Sequence, residues 1–183
     1  MTDVVVVGGG PAGLSAALFT EKNGLDTVVY DTDETWMHKA HLFNYLGIDS
    51  MDGSEYMDVS REQVVEFGVD ITESEVTDIE QRDDGFLVTT AEGEAEATYL
   101  VLATGADRSL AETLGCDFDG DLVDVTLSME TSVADAYATG AMVRDQEWQA
   151  IISAGDGGAA ALDILSKEEG EHFHDFDTPA DAE

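Results

Sequence analysis

The chain has 183 residues, enough for one well-packed domain, and its 43% hydrophobic content fits a folded protein rather than a disordered one. Forty-one acidic against seven basic residues leave a formal net charge of −34, which speaks against nucleic acid or an anionic membrane as partner, since both are held by Lys/Arg clusters. A single cysteine, Cys116, excludes an internal disulfide framework and any CxxC redox pair.

The acids are spread along the whole chain instead of forming a tail on a neutral domain. The simplest physical reading is adaptation to molar salt, where the screening length falls to about 3 Å and self-repulsion fades, so a halophilic source is expected. The N-terminus shows no basic region or small-residue cleavage site, and the apolar run Val4 to Val7 is far too short for a bilayer. A cytoplasmic location is the corresponding expectation.

In chain order, Asp3 to Val7 is a continuous apolar run of the kind found in parallel strands covered on both faces. A glycine-rich turn follows, then a predicted helix from Pro11 to Asn23, with Pro11 suited to the first turn and Gly24 to the position past the end. Asp26 to Asp31 is the second strand. Trp36 to Ser60 is expected to be irregular, with turns at Leu46-Gly47 and Asp52-Gly53, and a helix is expected through Met57 to Phe67, ending at Gly68. Short extended segments follow at Asp70–Ile71, Glu75–Gln81, Phe86–Thr90 and Glu96–Val101, with hairpin signals at Asp83-Asp84-Gly85 and Glu92-Gly93. Leu100 to Ala103 suggests a further central strand, Leu122–Val125 and Ala136–Thr139 two more, and Gln149 to Lys167 a closing helix. Glu168 to Glu183 is polar and acidic, and is expected to be loose or partner-dependent.

The chemistry-bearing feature is Gly8-Gly9-Gly10-Pro11-Ala12-Gly13, in G-x-G-x-x-G register between a strand and a helix. Gly8 permits the tight turn, Gly10 lets the backbone approach a pyrophosphate, and Gly13 permits close helix–strand packing; the helix N-terminus contributes amides and positive dipole. Asp31, 21 residues after Gly10, ends the second strand where an acceptor for the ribose hydroxyls is expected, and it speaks against a 2′-phosphate. This fingerprint alone serves NAD or FAD.

Further along, Tyr99 to Ala106 is a strand ending in Ala103-Thr104-Gly105, and here the chain resembles the thioredoxin reductase family of two-dinucleotide flavoproteins. The segment Met37 to Gly47, with Asn44-Tyr45-Leu46-Gly47, resembles that family's flavin-ring segment. Thr131 to Gly140 resembles its second FAD signature, and Trp148 to Gly155 the helix whose N-terminus faces the flavin. The likeness runs over about residues 3 to 167 with the motifs in family order. It implies FAD as cofactor, with Gly8, Gly10, Pro11, Ala12 and Gly13 at the pyrophosphate and Asp31 at the adenosine ribose. It further implies backbone bonds from Val76 to adenine, packing of Thr104, Gly105 and Gly140 against the dinucleotide, Asn44 in the flavin-facing loop, and Gln149 and Ala150 at the isoalloxazine edge.

The chain also departs from that pattern. About sixteen residues separate the Ala103-Thr104-Gly105 motif from Leu122, where the family carries an NADPH domain and where even one βαβ unit needs about 30. There is no CxxC, and Cys116 reads as a small, partly buried thiol. The second signature ends Gly140-Ala141 instead of Gly-Asp, so one hydrogen bond to the flavin's ribityl chain is lost. Gly155-Asp156-Gly157-Gly158 sits inside a helical stretch and is read as close packing. His41 and Lys39, beside His38, are the candidates for proton delivery or charge in the flavin loop. His172 and His174 lack a third ligand nearby, so no metal site is expected.

The expected fold is therefore α/β: a three-layer Rossmann-type FAD/NAD(P)-binding domain over residues 1–167, with a parallel sheet, a small antiparallel meander inserted between about 75 and 98, helices on both faces, and an acidic tail at 168–183. The expected function is that of an FAD-dependent oxidoreductase fed by an external NAD(P)H or a redox protein partner, with a homodimer as the expected assembly. The alternative is a nucleotide- or flavin-binding sensor or scaffold that has lost the redox chemistry.

Overall fold

A computed structural model describes residues 2–178. Strand β1 (Thr2–Val7) enters the glycine turn and leads to α1 (Pro11–Lys22), which returns to β2 (Thr27–Asp31). A 3₁₀ turn (Trp36–Lys39) and the two-residue strands β3 (His41–Leu42) and β4 (Met51–Asp52) lead to α2 (Gly53–Phe67) and β5 (Asp70–Glu73). The meander follows as β6 (Val76–Arg82), β7 (Gly85–Thr90) and β8 (Gly93–Leu102). Then come α3 (Ser109–Leu114), β9 (Phe118–Asp119), β10 (Leu122–Val123), β11 (Ala136–Ala138), a 3₁₀ turn (Gly140–Val143) and α4 (Ala150–Glu169).

The main sheet runs β5-β2-β1-β8-β7-β6, with β11 also paired to β8. Strand β8 forks it. Its first half pairs antiparallel with β7 (Phe86 opposite Ala97), while its second half pairs parallel with β1 on one side and β11 on the other. The expected segments Glu96–Val101 and Leu100–Ala103 are thus one ten-residue strand. Leu122–Val125 does not enter the main sheet; Leu122 and Val123 pair with Asp119 and Phe118 in a separate hairpin.

Alternate residues of β1 feed two cores, as a strand covered on both faces requires. Val4 and Val6 pack with Leu14 and Ala17 of α1, Met57 and Val64 of α2 and Ile164 of α4. Val5 and Val7 pack with Val76, Ile79, Phe86 and Val88 of the meander and Ala111 of α3. The second face is therefore covered mostly by the curled meander. The expectation of helices on both faces holds there only through α3, which is too short to show a periodic pattern in sequence.

Helix α2 begins at Gly53, four residues before the expected start. The Asp52-Gly53 pair is a helix cap and not a loop turn: the Asp52 carboxylate accepts the Ser54 N–H at 2.9 Å. Glycine is required at 53 because an added Cβ would lie 1.9 Å from the Met37 carbonyl oxygen. Helix α4 lies directly on α1, since a Cβ at Gly157 would stand 2.0 Å from the Ala12 oxygen; the expected close packing of the glycine-rich stretch holds at Gly157, whereas a Cβ at Gly155 would have open space and one at Gly158 would make ordinary contacts. The Tyr137 and Tyr99 hydroxyls donate to Asp163 and Glu168 of α4, each at 2.8 Å. Burial, and then these carboxylates, raise both phenol pKa values, so both stay protonated donors.

The start of the tail is held rather than loose. Ser166 Oγ accepts the Phe173 N–H at 3.1 Å, and Lys22 Nζ lies 2.7 Å from Asp175 and 2.5 Å from Asp177. Residues 179–183 of the expected tail lie outside the described residues. Among the described residues no helix is long and apolar enough to cross a membrane.

Candidate functional site

The candidate ligand crevice lies at the C-terminal ends of the parallel neighbours β1, β2 and β8, the end at which open α/β sheets bind ligands. Its floor is the glycine turn. Gly8 has φ +105°, and a Cβ there would lie 2.4 Å from the Ala103 oxygen; at Gly13 it would lie 1.8 Å from the Gly8 oxygen. Gly10 differs: a Cβ would meet only Thr35 Oγ1, at 3.7 Å. Two glycines thus close the backbone on itself, and the third keeps one side open for a ligand.

The helix ends around the crevice are distinctive in so acidic a chain. Helices α1 and α4 begin without a side-chain cap and without an acid in the first turn. By contrast α2 is capped by Asp52 and carries Glu55 in its first turn, and α3 carries Glu112. The two bare helix N-termini keep their amides and positive dipole free for an anion.

Of the expected site residues, Ala12, Gly140, Thr104 and Gly105 lie around this floor. Ala12 carries the Pro11 end of α1 toward Gly140, whose φ is +70° and whose added Cβ would lie 3.5 Å from both Ala12 Cβ and Ser153 Oγ. Thr104 and Gly105 follow Ala103, the residue packed on Gly8; Thr104 Oγ1 donates to the Asp107 oxygen at 2.7 Å, and Gly105 has φ +65° with open space around it. Gln149 is exposed at the start of α4, and Ala150 beneath it is buried. Val76 opens β6 beside a bulge, opposite Thr90, with its side chain in the meander-side core.

Asp31 does more than its position in sequence suggests. Its Oδ1 accepts the Gly9 N–H at 2.8 Å, and its Oδ2 accepts from Arg61 of α2. Arg61 Nη2 also reaches Asp33 at 3.0 Å, and Asp33 in turn lies 3.0 Å from His38 Nε2. His38 Nδ1 lies 2.9 Å from Ser54 Oγ, so one chain of polar contacts joins the glycine turn, the loop after β2 and α2. Among the described residues Arg61 Nε is buried without a partner, a state that costs about 1–3 kcal/mol.

The loop residues stand apart from this constellation. His41 is exposed, with Nε2 2.9 Å from Ser50 Oγ and its ring 4.5 Å from that of Phe43. Asn44 and Lys39 are exposed, and Lys39 makes no ion pair among the described residues. His174 stacks on Phe176, and no group of three or more His, Cys, Asp or Glu among the described residues stands ready to hold a metal. Cys116 is buried, and burial raises its thiol pKa, with the Thr131 hydroxyl acting weakly against this.

Four features were missed in sequence. Besides Arg61, Arg108 donates to the backbone oxygens of Ala106, Ala141 and Met142 and so ties the turn after β8 to the turn containing Ala141. Arg144 holds the buried Asp156 carboxylate at 2.5 Å. Trp36 and Trp148, the chain's two tryptophans, pack at 5.4 Å between ring centroids. The available signal was rarity: of only seven cations among 183 residues, Lys22, Arg61, Arg82, Arg144 and Lys167 each answer an acid, and Arg108 ties backbone oxygens together.

Comparison with known proteins places this geometry. Residues 2–49 match the family model described as pyridine nucleotide-disulphide oxidoreductase. Thioredoxin reductase of Treponema pallidum is 39% identical over 116 residues, 58% of this chain and 36% of that protein. The chain spans about a third of the length of the curated relatives it matches. Among solved structures, the thioredoxin reductase of Gloeobacter violaceus superposes with a TM-score of 0.86 at 22% identity, covering 97% of this chain and 99% of that one. The atypical thioredoxin reductase of Desulfovibrio vulgaris Hildenborough gives 0.87 at 18% identity, over 93% and 99%. At these identities the likeness establishes the fold: an α/β, mostly parallel central sheet matching the Rossmann-like fold of these reductases.

Proposed function

We propose that this chain binds FAD in the crevice above Gly8–Gly13 and works as a flavin-dependent oxidoreductase resembling the FAD-binding part of thioredoxin reductases. The observation that carries the reading is an open Gly10 at the head of α1, together with two helix N-termini, of α1 and α4, left bare of acids in a chain that places acids almost everywhere else. The residues present fit the cofactor. Gly8, Gly10, Pro11, Ala12 and Gly13 would hold the pyrophosphate, Asp31 the ribose, and Thr104, Gly105, Gly140, Gln149 and Ala150 the flavin half. When bound, FAD supplies the hydride and electron chemistry, and the α4 N-terminus favours negative charge beside it. Trp36 and Trp148, each about half exposed, pack on one another between the loop after β2 and the head of α4.

Residues 106–121 form only α3 and part of the β9–β10 hairpin, so electrons would arrive from a diffusing nicotinamide or a redox protein. A single domain over 1–167, a homodimer and a high-salt cytoplasm complete the proposal. The chain, purified in high salt and loaded with FAD, is expected to lose its visible flavin band on anaerobic addition of NADH or NADPH. FAD binding without bleaching by either would assign the donor role to a partner protein; absence of saturable FAD binding would overturn the reading.

Two observations favour a non-catalytic nucleotide-binding role instead: Ala141 stands where the resemblance calls for an acid, and Cys116 is buried. Ala141→Asp separates the two. If the site is kept for flavin, the added acceptor raises FAD affinity about tenfold, as one recovered hydrogen bond of about 1.4 kcal/mol would. An unchanged affinity would favour the sensor or scaffold.

A further inference from the structure

Asp31 and Asp33 lie together on one guanidinium, with Glu34 next in sequence, where the FAD reading puts the adenosine ribose and where a diphosphate would enter against their field. The guanidinium of Arg61 is placed between the first two, in contact with Asp31 Oδ2 and 3.0 Å from Asp33. Asp31 is held on its other side by the Gly9 amide, so its carboxylate has one orientation, fixed from the glycine turn and from α2. Among the described residues Arg61 Nε is buried without a partner, while Nη2 contacts both carboxylates.

We propose that Arg61 is a positioning and charge-setting residue of the cofactor site: it offsets one of the two charges of Asp31 and Asp33, so that a dianionic dinucleotide meets less repulsion, and it holds Asp31 in one orientation for the ribose hydroxyls. This rests on the FAD reading above. It deepens that reading by assigning the binding of an anion in an acidic chain to one cation that the glycine fingerprint does not contain. The ligand class is a dinucleotide or ADP moiety with free ribose hydroxyls, since a 2′-phosphate would meet Asp31 and Asp33 directly.

The two possible roles of Arg61, charge balance and mechanical tether, give opposite signs for a second variant. Asp33→Asn removes a negative charge and breaks one tether contact. If Arg61 sets charge, Arg61→Gln weakens FAD and ADP binding about tenfold or more, Asp33→Asn strengthens it, and the double variant returns toward wild type. These effects shrink between the lowest salt at which the chain is folded and 1 M salt, as the screening length falls toward about 3 Å. If Arg61 is only a tether, both single variants weaken binding, the double variant is worst, and salt changes nothing.

The test is calorimetric titration of FAD and of ADP into the four full-length chains, with near-ultraviolet circular dichroism confirming the fold of each. The proposal expects the order Arg61→Gln weaker than wild type and wild type weaker than Asp33→Asn, with the same order for ADP. Equal affinities, or weakening by Asp33→Asn, would overturn it while leaving the FAD reading intact. A wild-type chain that binds neither ligand would overturn both.

Discussion

The glycine turn and the loop from Trp36 to Gly47 are built by different means. At the turn, backbone lies on backbone: Gly8 against Ala103 and Gly13 against Gly8 leave no room for a methyl group. Along the loop the 3₁₀ turn is held by Thr35, Met37 and His38, while Trp36 is 54% exposed, Phe43 74% and Leu46 91%. The first region has one conformation by steric necessity. The second keeps large apolar side chains in water, which globular surfaces tolerate singly but seldom in such density without a contact to make.

The contrast can be broken most directly at Gly13. Gly13→Ala places a Cβ 1.8 Å from the Gly8 oxygen, so β1 and α1 must separate; a loss of about 3 kcal/mol or more is expected in denaturant unfolding, together with loss of FAD binding. A variant as stable as wild type would mean that the turn is softer than its geometry implies.

A smaller effect is expected at Asp156, where side chains and not backbone hold the structure. Asp156→Asn removes the charge that answers Arg144 in a buried setting, and a loss of about 1–3 kcal/mol should appear as a lowered unfolding midpoint. Because the Arg144 side chain is 35% exposed, it can recover part of this by hydration, which keeps the cost below that at Gly13.

Gly155 reverses the sign. It is two residues from Gly157 but has nothing within 4 Å of an added Cβ, so Gly155→Ala should stabilise α4 by about 0.5–1 kcal/mol. Destabilisation there would show that the four-residue glycine-rich stretch acts as one packing unit. The smallest effect belongs to the loop: Leu46→Ser should change stability by less than about 0.5 kcal/mol. A large loss would show that Leu46 is covered in solution, as an interface between copies or with a partner would require.

This division explains what was legible in the sequence. Gly8, Gly10, Gly13 and Asp31 announce themselves because only certain residues satisfy a tight turn and a strand-end acceptor; β1 followed from its continuous apolar run, and α1 from its helical spacing between Pro11 and Gly24. The fork in β8 was not legible, because its two halves obey different pairing rules within one continuous run. Arg61 and Arg108 were not legible because their partners lie far away in sequence: Arg61 answers Asp31 thirty positions back, and Arg108 reaches Ala141 and Met142, more than thirty positions on. Asp52 was visible but misassigned, since an Asp-Gly pair serves a turn or a helix cap and only the Met37 carbonyl pressed on Gly53 decides between them.

The central claim is that the crevice holds FAD, and the tryptophan pair offers a direct reporter. Both tryptophans stand together, Trp36 next to the Thr35 that faces Gly10 and Trp148 next to Gln149 at the head of α4. Titration of the wild-type chain with FAD in high salt, followed by tryptophan emission, should show saturable quenching at one FAD per chain that excess ADP reverses. Quenching that rises linearly without saturation, and that ADP leaves unchanged, would contradict the account.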